Sequence, residues 1–459
     1  MNKKYLMYIF LFTLLLRIPV FLHLSAQPIR FYWNSDSYNY ELIARNLIQY
    51  QTFSGELQPH LTPNVYRTPI YPLFIAVLFY LSNYSVVVTV FIQVLLSCLM
   101  PPLMMVLVST LKLPSYVGWI SAGVLALNPL VGLISFQLTT ETVFVTLLVL
   151  AMLMLSIYLK NRQWGWLLGS AVFFSLASLT RPISQYLPFI LIPVFFLAVD
   201  KTQWRLMGKG IFLFLIVNIL ITYSWAYRNY AETGLWTLSA ISNQNLLYYR
   251  ARDVYVEVEN VDKAKAVADL RQFIQTEVET KHLTTKEELQ LMSRKAIDIF
   301  KQNPYITIKV HVKGFLRVMG NPGISLICAT FDEQQVALDT GKNILGCEAN
   351  QNSRLSAQIQ ESLAKMTWFE RIVLAWEVLL LGFLLLASAF GVFQLLRDRQ
   401  WVVLYFLVVP VVYFALLSSG GESNARYRIP LIPFLAVLAG IGSMAIQKTL
   451  FSKRLNQTK

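Results

Sequence analysis

The chain has 459 residues, 56% of them hydrophobic and only 14% charged, against roughly 25% charged in a soluble domain. The deficit lies in apolar runs long enough to cross a bilayer as helices with self-satisfied backbones, which excludes a soluble two- or three-domain protein. The net charge of +14 does not indicate nucleic acid, because Lys and Arg cluster between apolar runs and no basic face or reading motif accompanies them.

In chain order, the first apolar run covers about Tyr5 to Leu24, behind Lys3 and Lys4. It resembles a signal peptide, but its length and the want of a clean small-x-small cleavage site read as a retained first helix. A polar, aromatic segment follows from Ser25 to Arg67. Residues 68–81 are apolar but short and punctuated by Pro69 and Pro72, which reads as a helix lying at the interface. Full spans are expected at about 85–111, 115–133, 140–159, 164–180, 185–199 and 208–225. After a long polar stretch, three more follow at about 371–396, 401–418 and 429–447. The expected fold class is therefore an all-α polytopic membrane protein of about ten transmembrane helices, with interfacial helices and one large helical loop outside. Its parts are an N-terminal transmembrane module, 1–225, with a first outer loop, 25–84; a mostly helical loop, 226–370; and C-terminal helices with a tail, 371–459.

Charge orients these spans, since cytoplasmic loops carry excess Lys and Arg. With the N-terminus inside, the short inner loops hold Lys112; Lys160 and Arg162; Lys201, Arg205 and Lys209; Arg397 and Arg399; and the tail holds Lys453, Arg454 and Lys459. Every one is basic, so both termini are expected in the cytoplasm. The outer turns then contain Thr139-Thr140-Glu141, Leu179-Thr180-Arg181-Pro182 and the run from Gly420 to Arg428, which includes Glu422 and Arg426. Several charges directed at one aqueous face suggest a site.

The 226–370 loop reads as helical. Thr285 and Glu288 have the spacing of a capping box, opening a helix that ends before Pro304. Residues 305–319 mix apolar positions with Lys309, His311, Lys313 and Arg317, as in a helix lying along the interface. Cys98 reads as a small core residue, whereas Cys328 and Cys347 share one outer segment where a disulfide or two thiols are equally open. His23, His60, His282 and His311 stand apart in sequence and read as structural rather than as metal ligands.

The stretch most suggestive of chemistry is Tyr32-Trp33-Asn34-Ser35-Asp36-Ser37-Tyr38-Asn39-Tyr40, directly after the first span. A carboxylate there can take a proton from a nucleophile or hold a divalent cation, and the neighbouring aromatics can pack a sugar ring or a headgroup. An interfacial aromatic belt with a helix-capping Asp fits the same residues. In Tyr66-Arg67-Thr68-Pro69-Ile70-Tyr71-Pro72, Arg67 can bind a phosphate through two parallel hydrogen bonds, or snorkel at a helix start.

The order of these motifs resembles the GT-C superfamily of membrane glycosyltransferases. It comprises a first span, Asp36-Ser37-x-x-Tyr40, Arg67-x-Pro69-x-Tyr71-Pro72-Leu73, Thr140-Glu141 opening a span, Leu179-Thr180-Arg181-Pro182 closing one, and Arg426-Tyr427-Arg428-x-Pro430 opening the last. Within that superfamily the chain is similar to the bacterial ArnT/PMT-like, protein-mannosyltransferase-like branch, where an Arg-Asn pair such as Arg228-Asn229 often follows a span. The resemblance implies a sugar donor carried on polyprenyl phosphate, a lipid, glycan or protein acceptor, membrane lipids as surroundings, and the bacterial inner membrane as location. It implies Asp36 as general base, inversion at the anomeric carbon, and Glu141 as a second carboxylate. Arg67, Arg181, Arg228, Arg426 and Arg428 become candidates for the lipid phosphate, with Tyr38, Tyr40 and Tyr71 beside the substrate. The resemblance fixes no cofactor, and Asp36 and Glu141 leave a divalent metal open. A transporter or flippase of lipid-linked sugar is the alternative, but no inverted repeat or pair of broken helices supports it. A non-catalytic scaffold would leave the placement of Asp36, Arg67 and Glu141 to coincidence.

Overall fold

The computed structural model describes residues 2–26, 35–331, 355–421 and 423–443. Glu422, Cys347, the residues 27–34 and the tail lie outside the described residues, and with them any Cys328–Cys347 bridge. Every regular element among the described residues is helical. Among the described residues, six helices are long and apolar enough to cross a bilayer: Lys3–Ser25, Val86–Thr110, Glu141–Asn161, Lys201–Thr233, Trp368–Arg397 and Ala425–Ser443. The pair Ser115–Leu127 and Pro129–Ser135, bent by 54°, is apolar and long enough only when taken together, as a broken span or a re-entrant loop. The bend has a local cause. Pro129 disfavours helical geometry in the residue before it, and Asn128 instead caps the second helix, its Oδ1 accepting from the Val131 amide at 2.9 Å.

The expected spans at 164–180 and 401–418 appear as the shorter apolar helices Trp164–Ser178 and Trp401–Leu417. The expected 185–199 span is not one continuous helix. Pro182, Pro188 and Pro193 each remove a backbone donor, and the chain proceeds as three short pieces, Pro182–Ser184, Leu187–Ile190 and Pro193–Leu197. Conversely, the helix expected to end at 225 continues to Thr233. At 1.5 Å per residue its 30 residues extend about 45 Å, so its end projects beyond roughly 30 Å of hydrocarbon. Arg228 and Asn229 therefore lie on this helix.

Burial ranks the helices. The apolar window of Glu141–Asn161 is 72% buried and that of Lys3–Ser25 only 22%, so the former is central and the latter peripheral. Glu141–Asn161 packs on Val86–Thr110 and Trp164–Ser178. In a bilayer, helices associate through close packing and not through exclusion of water, so small residues matter at contacts. Gly391 and Gly442 supply one such contact: a Cβ at Gly442 would overlap the Ala387 carbonyl, and one at Gly391 the Leu438 carbonyl.

The segment from 240 to 310 forms a cap with its own small core, in which Leu247, Val254, Leu270, Ile274, Leu289 and Met292 are buried. Val65 of the first loop is buried in that same core. The cap helix Thr285–Gln302 is capped by Thr284, one residue before the position the spacing suggested. Thr284 is extended (φ −68°, ψ 162°) and forms the capping box with Glu287, which leaves Thr285 as the first helical residue. Glu288 is thereby free of a capping role. Along the cap's last helix, Pro304–Gly320, Tyr305, Ile308, Val312 and Leu316 are exposed. Their spacing of three and four residues makes one apolar stripe, suited to a membrane interface.

Candidate active site

Asp36 stands in the first turn of the Ser35–Tyr50 helix. A carboxylate there meets the positive end of the helix dipole. The helix packs against Ile70–Ser82, with Ile43 and Ala44 buried. Arg67 lies in the loop before that second helix, and the loop is clamped from several directions. Asn64 Oδ1 accepts from the Arg67 amide at 2.9 Å. Arg228 donates to the Asn64 carbonyl at 2.7 Å, the Ala240 amide to the Val65 carbonyl at 2.9 Å, and Thr68 to the Thr180 carbonyl at 2.9 Å. Held so, Arg67 donates to Asp36 Oδ1 at 2.6 Å and to Asn39 Oδ1 at 3.1 Å, with its guanidinium 4.8 Å from the Tyr40 ring centre.

Glu141 is the first residue of the Glu141–Asn161 helix and its side chain is fully buried. Two guanidiniums reach it. Arg181, just past the Trp164–Ser178 helix, and Arg426, at the start of the last span, both donate to Oε1, and Arg426 also donates to Oε2 at 3.2 Å. Arg426 Nη1 lies 3.6 Å from Asp36 Oδ2. One arginine thus joins the two carboxylates. Five charged side chains from sequence positions nearly 400 residues apart form one cluster, three cations against two anions. Its net charge of one positive is a match for one phosphodiester. Burial alone would push the Asp36 carboxyl up, but Arg67 and Arg426 outweigh it and hold it below the ordinary carboxylate range.

This direction fixes a pH dependence. A carboxylate held down by folding contributes stability above its unfolded value, about 3.9, and loses it as pH falls through the folded value. The gap in thermal midpoint between wild type and Asp36→Asn should therefore stay constant from pH 8 to about 4 and shrink only below that. A gap that closed near pH 6 would contradict the paired geometry.

The other expected residues are placed differently. Arg228 bonds the Asn64 carbonyl and Asn229 Oδ1 (2.9 Å), so it positions the Arg67 loop. Arg428 is fully buried and donates to Glu377 at 2.9 Å and to the carbonyls of Val318, Met319 and Asn321. It is a strut between the cap and the bundle. Tyr40 is buried at the cluster, edge-on to Tyr71, whose hydroxyl donates to Gln93 Oε1 at 2.7 Å. Tyr38 is 54% exposed.

Two contributors escaped the sequence reading. Asn39 lies three residues from Asp36 on the same helical face, a relation visible in the spacing. Gln93 orients Tyr71 and donates to the Gln137 carbonyl at 2.8 Å; a lone amide in an apolar run was its signal.

A divalent metal does not fit well here. Among the described residues no three His, Cys, Asp or Glu side chains converge. Asp36 and Glu141 are both engaged by guanidiniums, and a cation would face three arginines.

Residues 66–227 match the family model described as dolichyl-phosphate-mannose-protein mannosyltransferase. No curated protein sequence matches the chain. Among solved structures, it is similar to the archaeal oligosaccharyltransferase AglB from Archaeoglobus fulgidus in complex with an inhibitory peptide and a dolichol-phosphate, at 13% identity and a TM-score of 0.43, over 96% of this chain and 52% of that one. The chain spans about half the length of that enzyme. It is also similar to ArnT from Cupriavidus metallidurans bound to undecaprenyl phosphate, at 12% identity and a TM-score of 0.41, over 94% of this chain and 77% of that one. The family match takes in Arg67, Glu141 and Arg181, three of the five charged residues of the cluster.

Proposed function

We propose that the chain transfers a sugar from a polyprenyl-phosphate donor to an acceptor at the outer face of the membrane, with Asp36 as general base. The observation that carries this reading is the bridge made by Arg426 between Asp36 and Glu141. An acceptor hydroxyl gives its proton to Asp36 as its oxygen bonds to the anomeric carbon. The bond from that carbon to the phosphate oxygen breaks, and its electron pair leaves with the phosphate. Arg67, Arg181 and Arg426 offset the charge that develops on that oxygen. One in-line displacement inverts the anomeric centre.

The electrostatics add a constraint. Arg67 and Arg426 keep Asp36 ionised at neutral pH, as a base must begin, but they also lower its basicity. Guanidinium charge drawn towards the phosphate restores that basicity as the leaving group departs. Proton transfer and phosphate departure are coupled through Arg426. We place the protein in the bacterial inner membrane with both termini cytoplasmic, because every short loop on that side is basic.

The test compares envelope glycolipids, glycans and glycoproteins by mass spectrometry in cells with the wild-type chain, a deletion, and Asp36→Asn. The deletion and the point variant should lose the same single sugar unit. A deletion phenotype that Asp36→Asn fully rescues would remove Asp36 from the chemistry.

A further inference from the structure

A second pocket, of about 270 Å³, opens in the cap and is lined by cap residues alone. Its floor is apolar, formed by the buried side chains of Ile274 and Met292. Its walls carry Gln244, Tyr248, Arg271, Gln275 and Glu288. Arg271 stands 5.9 Å from the Tyr248 ring centre. The side chains of Gln244, Gln275 and Glu288 take no hydrogen-bond partner among the described residues. Gln244 and Glu288 are half-buried and Gln275 stands exposed at the rim, so their polar groups are available to the hollow.

Two features of the backbone build this hollow. Tyr248 lies in a π-helical turn, Leu246–Ala251, between the α-helical stretches Ile241–Asn245 and Arg252–Glu259. Such turns are less stable than α-helix and concentrate at functional sites. The second feature is the helix start at Thr284, which commits Glu287 to the capping box and releases Glu288 to the pocket.

We propose that this pocket binds a single pyranose unit of an uncharged saccharide. A pyranose has hydroxyls that both donate and accept, and C–H groups that make one face apolar. Glutamine amides offer both a donor pair and an acceptor, and a carboxylate accepts two hydroxyls. Tyr248 and the Ile274–Met292 floor suit the C–H face. The volume falls below the roughly 300–1,000 Å³ of drug-sized ligand pockets, which limits the occupant to one ring. Arg271 and Glu288 oppose each other in charge, which disfavours a phosphate or any other strongly anionic ligand. Tyr66 of the first loop packs against the same cap core that contains Ile274 and Met292. Tyr66 precedes Arg67, so the core that floors the pocket also supports the loop that carries that arginine. The site is distinct from the Asp36–Glu141 cluster and its occupancy needs no transfer reaction.

The experiment is saturation-transfer difference NMR on the full-length protein in lipid nanodiscs, at millimolar methyl glycosides of glucose, mannose, galactose and N-acetylglucosamine. At least one glycoside should show ring-proton signals above those of protein-free nanodiscs. Tyr248→Ala and Gln275→Ala should each reduce them at least fivefold, while Asp36→Asn leaves them unchanged. Gln275 is exposed, so its truncation tests the pocket even if Tyr248→Ala fails to fold. The proposal is overturned if none of the four glycosides gives a signal, or if the signal survives Gln275→Ala. It is also overturned if Asp36→Asn removes the signal, which would place the sugar in the carboxylate cluster. The readout is binding alone, so its failure leaves the transfer reading standing, and loss of the transfer reading leaves this one standing.

Discussion

Glu141→Gln is expected to lower stability by about 3 kcal/mol and transfer by roughly 100-fold or more. The wild-type carboxylate is fully buried and receives both Arg181 and Arg426. The amide keeps the volume but removes the charge, and whichever way it turns its NH2 group faces a guanidinium donor. Two guanidiniums then stay in a partly buried site with only Asp36 to balance them. Stranding buried charge costs about 3–5 kcal/mol. The lower figure applies because Arg181 and Arg426 are 18% and 12% exposed and retain some water. Transfer suffers more than stability, because Arg426 loses the anchor that holds it beside Asp36. Thermal unfolding in nanodiscs and a transfer assay on the same preparation separate the two effects. A variant within 1 kcal/mol of wild type and fully active would show that the bridge is incidental.

Arg428 should behave in the opposite way, with a large effect on folding and little on chemistry. Arg428→Met is expected to destabilise by about 3–5 kcal/mol. It would leave Glu377 buried without its cation and remove the donor shared by the carbonyls of Val318, Met319 and Asn321. Glu377→Leu strands the guanidinium and should cost a similar amount. The double variant Arg428→Met with Glu377→Leu should be no less stable than either single one, since no unpaired charge remains. Transfer per folded molecule should change by less than a few-fold throughout. Loss of transfer at full stability would return Arg428 to the phosphate-binding set.

Much of the architecture was legible in the sequence because membrane spans depend on composition, and composition is local. Apolar length marked the six long helices among the described residues. What failed was geometry set by single residues. Three prolines divide the 182–197 segment, which hydropathy reads as one span. The Trp204–Thr233 helix runs past the apolar boundary because helix ends follow capping and packing as well as polarity. The capping box lay one residue early because both Thr284 with Glu287 and Thr285 with Glu288 satisfy the same spacing.

The site shows the same division. Motif order pointed to Asp36, Arg67, Glu141, Arg181 and Arg426, and the fold brings those five together. It could not separate Arg426 from Arg428, two residues apart in one motif. That distinction rests on the direction each side chain takes from a tight 3-10 turn, Ala425–Leu431. Arg426 faces the carboxylates, whereas Arg428 meets a glutamate in the middle of an apolar helix. Only a buried acidic residue such as Glu377 hinted that a cation would be claimed for structure. Arg228 was likewise grouped with the phosphate ligands, while its hydrogen bonds go to the loop that presents Arg67.

The most direct measurement is reconstitution. Membrane extract from deletion cells supplies donor and acceptor together, and purified protein in nanodiscs is added back. Wild type should restore the missing sugar unit, and Asp36→Asn should not. If Asp36→Asn restores the sugar at the wild-type rate, the cluster joined by Arg426 is not where transfer takes place.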